Sequence, residues 1–212
     1  MDSYIIDTNF FFNLEVKTGF GSNAHDVITN FIELAKKLKV EKKVEFFMPA
    51  SVARETSEFT SNTASEEDIK TLLTHITIKS PDVSKVEFPA TIFYTMVDEI
   101  RTRSYRGLTV AQEQVEAGAQ LMSSKTFENK IEYQKGLGDV ITKLRDRYRQ
   151  ATRFNFLDSV ADLDLIVLAK ELDGYLVSAD EGVLRWGRMF GVKEVPAELL
   201  LNKLSLVGHE AR

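Results

Sequence analysis

Residues 156–180 read FLDSVADLDLIVLAKELDGYLVSAD, and this stretch decides the fold. Leu157–Leu172 is apolar on nearly every side, which predicts a buried helix. Asp173-Gly174 turns the chain, and Tyr175–Ser178 (YLVS) is a strand. A helix over Asp180–Phe190 follows, closed by Gly191, and Val192–Val195 makes a last short strand before a C-terminal helix.

The other end of the chain has the same grammar. Ser3–Ile6 is a short apolar strand that stops at the turn formers Asp7-Thr8-Asn9. From Ala24 to Val40, Val27, Ile28, Phe31, Ile32, Leu34, Ala35 and Leu38 recur at helical spacing. Val44–Met48 (VEFFM) is a second buried strand ending at Pro49, and a helix follows through roughly Phe59. The order β-α-β-α points to a parallel sheet, here built with strands from both chain ends. The middle differs: from about Pro89 to Arg153 only helical periodicity is present. One apolar stripe (Ile92, Phe93, Met96, Val97, Ile100) ends at Gly107. Thr109 and Gln112 make a capping box for a second helix with Val115, Ala119 and Met122, and a third carries Ile131, Ile141, Leu144 and Tyr148. The fold class is therefore α/β with a helical insertion.

The chain has 212 residues, 43% of them hydrophobic and 28% charged, with a net charge of −5, which suits one globular domain. There is no cysteine, so disulfides, thiolate zinc sites and a cysteine nucleophile are excluded. His25, His75 and His209 lie far apart, which argues against a histidine-built metal site. The N-terminus, MDSYIIDTNFFF, lacks the basic region of a signal peptide, and no run reaches the ~20 apolar residues of a membrane span; the expectation is a cytoplasmic protein. Charge is divided unevenly: residues 98–153 hold 11 basic and 8 acidic side chains, the remainder 16 against 24.

Acid, base or metal chemistry must then come from carboxylates. Asp7 ends the first strand, and ligands of open α/β sheets bind beyond the carboxyl ends of strands. Asp180 follows another strand and should share that rim. The alternatives are an Asx-turn at Asp7 and a helix cap at Asp180, with Ser178 and Glu181 forming an S-x-x-E capping box of their own. Asp158 and Asp162 are i and i+4 at the start of an otherwise apolar helix, so they share a face. Asp158 could be an N-cap, but capping does not explain Asp162 as well, and a buried carboxylate costs several kcal/mol unless paired or coordinated. No Lys or Arg lies between Arg153 and Lys170. The hard cations Mg²⁺ and Mn²⁺ are the natural partners. Asp164, two residues on, falls roughly on the opposite face. An acid cluster of Asp7, Asp158, Asp162 and Asp180 suits metal-assisted phosphodiester hydrolysis.

With YIIDTNFF, DSVADLDLIVLAKELDG and LVSADEGVLRWGRMFGV in place, the sequence resembles the PIN-domain nucleases. More narrowly it is similar to the homologues of Aquifex RNase P, the minimal protein-only RNase P family, whose archaeal members are also called RNA ligase partner proteins. The resemblance implies a PIN-like three-layer sandwich over residues 1–212, with a parallel sheet and a protruding helical insert at about 89–153. It implies removal of the 5′ leader from precursor tRNA, leaving a 5′-phosphate, with Mg²⁺ or Mn²⁺ held by Asp7, Asp158, Asp162 and Asp180. Asp164 matches an additional acid of the same motif and joins the expected catalytic set. Glu55 stands where many PIN domains keep a second acid, and Glu181 beside Asp180 where an acid is usual.

The resemblance further implies that the insert contacts tRNA and builds a large homo-oligomer, up to a dodecamer. Arg145, Arg149 and Arg153 form an i, i+4, i+8 stripe with Arg147 and Lys143 nearby, and these four arginines are the expected RNA-binding residues; Arg101, Arg103 and Arg106 make a second patch. The alternatives are a PIN ribonuclease acting on another RNA and a non-catalytic RNA-binding partner of an RNA ligase. An aspartyl-nucleophile phosphatase needs an acid where Asn9 stands.

Overall fold

The computed structural model describes residues 1–41, 43–58, 64–153, 156–157 and 159–209, with the backbone alone for 207–209. Five strands, β1 (Asp2–Ile6), β2 (Val44–Met48), β3 (Thr77–Ile78), β4 (Tyr175–Ser178) and β5 (Lys193–Pro196), form one sheet in the order β3-β2-β1-β4-β5. Every neighbouring pair is parallel, with Tyr4 opposite Phe46 on one side and Tyr175 on the other. Parallel strands covered on both faces are apolar throughout rather than alternating, which is the character of SYII, VEFFM and YLVS.

Chain order explains where a site can form. From β1 the chain moves outward to β2 and β3, then returns to the opposite side of β1 with β4 and β5. The direction reverses between β1 and β4, and such a reversal leaves a crevice at the strands' carboxyl ends. Helix α1 (Asn9–Phe12) follows β1 directly. Helix α2 (Ala24–Val40) is capped by Asn23, whose side chain accepts from the Asp26 amide, and buries Val27, Ile28, Phe31, Ile32, Ala35 and Leu38. Phe10, Phe11, Phe20, Phe31 and Phe46 interlock edge-to-face beneath the sheet end, with ring centroids 4.9–5.7 Å apart.

Helix α3 (Ala50–Glu58) leaves β2, and α7 (Val160–Glu171) buries Ala161 and Leu165–Ala169. Helices α8 (Glu181–Met189) and α9 (Leu200–His209) complete the layers. Helix α4 (Glu66–His75) and β3 were not anticipated, since the sequence reading assigns no element to residues 60–88. Two residues of strand carry no readable period, although the Ser65/Asp68 capping box of α4 is a local signal that was available. No helix among the described residues is long and apolar enough to cross a membrane.

The chain divides into two compact units, Met1–Pro89 with Leu157–Arg212, and Ala90–Phe156. The second unit is a pair of helices, α5 (Thr91–Ser124) and α6 (Lys130–Arg153). Gly107 meets Tyr148, Glu113 pairs with Arg147 and Gly118 meets Val140, so the two run antiparallel. The expected break at Gly107 does not occur, and α5 continues unbroken for 34 residues, about 51 Å at the helical rise. A Cβ on Gly107 would stand 2.6 Å from the Tyr148 ring, so this glycine serves close helix contact rather than termination. Thr109 likewise caps nothing; its hydroxyl donates to the Tyr105 carbonyl one turn back. Phe93, Tyr94, Val97 and Ile100 are exposed on α5.

Candidate active site

Asp7 and Asp180 meet at the switch point between β1 and β4. Asp7 directly follows β1, its amide extending the ladder to the Val177 carbonyl at 3.0 Å. Its side chain is buried, with 5% of the residue exposed. Ser178, the last residue of β4, donates its hydroxyl to Asp7 Oδ2 at 2.6 Å and accepts the Asp180 amide at 2.9 Å. One fully buried hydroxyl thus bridges a buried acid and the backbone of the next. Asn9 adds weaker bonds to Asp7, from its amide at 3.3 Å and from Nδ2 at 3.4 Å, which is the anticipated Asx-turn.

The electrostatics follow from that geometry. Burial pushes the Asp7 carboxyl above the ordinary carboxylate range; the bonds from Ser178 and Asn9 pull it down, and the Asp180 charge pushes it up again. Its bonding partners among the described residues are all neutral. Asp180 lies at the exposed mouth and caps α8, its Oδ1 accepting from the Gly182 amide at 2.6 Å and the Val183 amide at 3.3 Å. The expected Ser178/Glu181 capping box is therefore corrected. Asp180 is the cap, Ser178 turns inward to Asp7, and Glu181 is bound instead by Arg188, which also holds Glu194.

Asp162 and Asp164 lie in the first turns of α7. Ser159, not Asp158, caps that helix, its side chain accepting the Asp162 amide at 3.0 Å. Asp162 thus occupies a capping-box position, where an acid also suits the helix dipole, so burial cost is not the whole account of it. Asp164 faces away from Asp162, and Ser51 on α3 donates to its Oδ2 at 2.6 Å. That bond fastens α7 to the helix leaving β2. Asp158 lies outside the described residues. Glu55 is exposed on α3.

A second link to α3 was not foreseen. The Thr8 and Thr56 hydroxyls are 2.7 Å apart; Thr56 donates to the Val52 carbonyl at 2.8 Å, so Thr8 is the donor to Thr56. The sequence marks Thr8 as a turn former and Ser178 as a cap, because a sequence shows local roles and not partners 48 or 171 positions away.

The donor set is all oxygen, and its most buried member has only neutral partners among the described residues. That chemistry fits a hard divalent cation. Among the described residues, no three His, Asp or Glu side chains form a ready metal cage.

On α6, Arg145, Arg149 and Arg153 are exposed, while Arg147 pairs with Glu113 at 2.6 Å. Arg103 does not extend the second basic patch. Its Nε donates to the Thr152 carbonyl, and its guanidinium lies 3.8 Å from the Phe156 ring centre.

Comparison with known proteins gives a consistent set. A family described as PINc domain ribonuclease matches residues 3–207. A protein of Hyperthermus butylicus named RNA-free ribonuclease P is 39% identical over 95% of this chain and 86% of its own. Proteins of the same name from Thermococcus kodakarensis and Thermodesulfovibrio yellowstonii are 35% and 33% identical, over 95% and 92% of this chain and 93% and 89% of theirs.

Proposed function

The chain belongs to the PINc domain ribonuclease family, and from that premise we propose how it acts as an RNA-free ribonuclease P that removes the 5′ leader from precursor tRNA at the rim between β1 and β4. It is an endoribonuclease. The observation that carries the assignment of the site is the Asp7–Ser178–Asp180 bridge, which sets one buried and one exposed carboxylate at the sheet's switch point.

Asp7, Asp158, Asp162 and Asp180 would hold Mg²⁺ or Mn²⁺. Such an ion, when bound, neutralises the scissile phosphate, acidifies water and stabilises the leaving oxygen. The protein's own contribution is positioning. Ser178 and Asn9 fix the Asp7 carboxylate, and the α8 amides fix that of Asp180. Ser51 holds Asp164 in place, so the start of α7 presents Asp162 in one orientation relative to α3. Carboxylates held in this way need little rearrangement of their own when phosphate and cation arrive.

Arg145, Arg149 and Arg153 on α6 would meet tRNA phosphates, contacts that set register rather than read bases. Arg147 would join them by leaving Glu113, since an exposed ion pair is worth only ~0–1 kcal/mol. The exposed apolar residues of α5 suit a homo-oligomer, up to a dodecamer, built through the helical pair. The protein would act in the cytoplasm, where its substrate is made.

Incubation with 5′-labelled precursor tRNA, in Mg²⁺ and in EDTA, tests the reading. A single metal-dependent cut at the leader junction is expected. Asp162→Ala should abolish it while leaving the fold intact, because capping by Ser159 remains. Full activity in that variant would remove Asp162 from the site.

A further inference from the structure

A cavity of about 460 Å³ opens one helical turn beyond Asp7. Phe10, Phe11 and Val27 lie buried behind it, Leu14 and Val16 supply its accessible apolar surface, and Asn13, Lys17 and Ser22 are polar residues of its lining. The mechanism above makes no use of it. Among the described residues the lining includes one cation and no carboxylate. That is a departure for this part of the chain, since residues outside 98–153 carry 24 acids against 16 bases.

The cavity is preformed. Thr18 Oγ1 accepts the Phe20 amide at 3.3 Å, and Asn30 Nδ2 donates to the Phe20 carbonyl at 2.5 Å, pinning the segment that forms the wall. Gly19 sits at φ +79°, and a Cβ on Gly21 would lie 2.4 Å from Asp26 Cβ, so neither position accepts a side chain without strain.

We propose that this cavity receives one unpaired nucleobase of the 5′ leader, a nucleotide or two upstream of the scissile phosphate; the proposal rests on the tRNA-processing reading and deepens it. An apolar floor with a few polar groups at the mouth is the usual form of a small-ligand pocket, and a base has an apolar face and polar edges to match. Lys17 complements a flanking phosphate. The four residues of α1 span only ~6 Å, so the first lining residues, Phe10 and Phe11, follow Asp7 within one helical turn, the scale of adjacent nucleotides. The tRNA side of the cut is a duplex whose bases are stacked and paired, whereas leader bases are free to splay out and pack against protein.

The test uses the full chain and precursor tRNAs carrying a single abasic site at leader positions −1 to −4 or in the 3′ single-stranded tail. Binding is measured in EDTA and cleavage in Mg²⁺. An abasic site at −1 or −2 should weaken binding about tenfold, a loss of about 1.4 kcal/mol for one buried base. The other positions should change it less than twofold. Thiouracil at the sensitive position should crosslink to residues 10–27. In Lys17→Glu and Ser22→Trp, charge reversal and a filled mouth should weaken binding of the intact RNA and erase its sensitivity to the abasic site. If every abasic RNA binds like the intact one, or only the 3′-tail substitution matters, while intact precursor is still cut at the junction, the cavity assignment is overturned and the parent reading stands. If intact precursor is not cut at all, both fall. The abasic series needs no protein variant, so misfolding cannot obscure the result.

Discussion

Replacing Ser178 by Ala removes one oxygen atom and two hydrogen bonds, and the structure sets the scale of the loss. The hydroxyl is fully buried and donates to Asp7 Oδ2 at 2.6 Å, a bond to an ionisable group worth roughly 1.5–3 kcal/mol. In a chain of 212 residues each kcal/mol moves the melting temperature by about 2–4 °C, so Ser178→Ala should melt roughly 3–12 °C lower in EDTA. The loss should depend on pH. Burial holds the Asp7 carboxyl above its ordinary range, and the Ser178 bond favours the ionised form. The gap between wild type and variant should therefore be small at acid pH and widen as pH rises through the Asp7 titration. A double-mutant cycle with Asp7→Asn isolates the pair. Cation titrations add a second readout: half-maximal cleavage should need about 10–100-fold more Mn²⁺, as is usual when a group supporting a ligand is lost. A melting gap that does not vary with pH, together with additivity within ~0.5 kcal/mol in the cycle, would refute the bridge as the element that organises the site.

Asp7→Asn should abolish cleavage and stabilise the metal-free protein at neutral pH. Asp7 has a raised folded-state pKa, so wild-type stability falls as pH climbs from the ordinary carboxylate range through that value, and only the aspartate suffers this loss; melts at pH 4 and pH 8 check the sign. His25 bonds Asp68 at 3.0 Å between α2 and α4, which holds the imidazole above its usual pKa. Its contribution is full below the unfolded value of ~6.5 and is lost as pH rises through the folded one, so His25→Ala should lower the urea midpoint at pH 5.5 and leave it unchanged at pH 9. In Gly174→Ala the new Cβ would stand 2.8 Å from the Ser3 carbonyl oxygen and 2.6 Å from Ile5 Cδ1, which should cost about 1–3 kcal/mol in denaturant unfolding.

Elements with a strong period or a continuous apolar run were legible in the sequence. VEFFM, YLVS and the Ala24–Val40 helix fall where their patterns place them. Gly107 misled because a glycine inside a helix looks the same whether it ends the helix or admits a neighbouring ring, and only the position of Tyr148 decides. The acids at strand ends were legible because an aspartate after an apolar run is a local fact. Their supports were not, because Ser178, Thr56 and Ser51 act on partners supplied by other elements. Ser178 is the instructive case. Its spacing to Glu181 is that of a cap, yet the competing partner, a buried carboxylate at 2.6 Å, wins the hydroxyl.

The contact between Asp7 and Ser178 also has a consequence for the time at which activity begins. The two residues are 171 positions apart, and β1 and β4 lie side by side. At 5–20 residues per second, a ribosome needs roughly 10–30 s to pass from one to the other. For most of that interval the growing chain has Asp7 with neither the acids of α7 nor Asp180 yet made. On the proposed assignment the site is completed only as synthesis ends, among the tRNAs that serve translation.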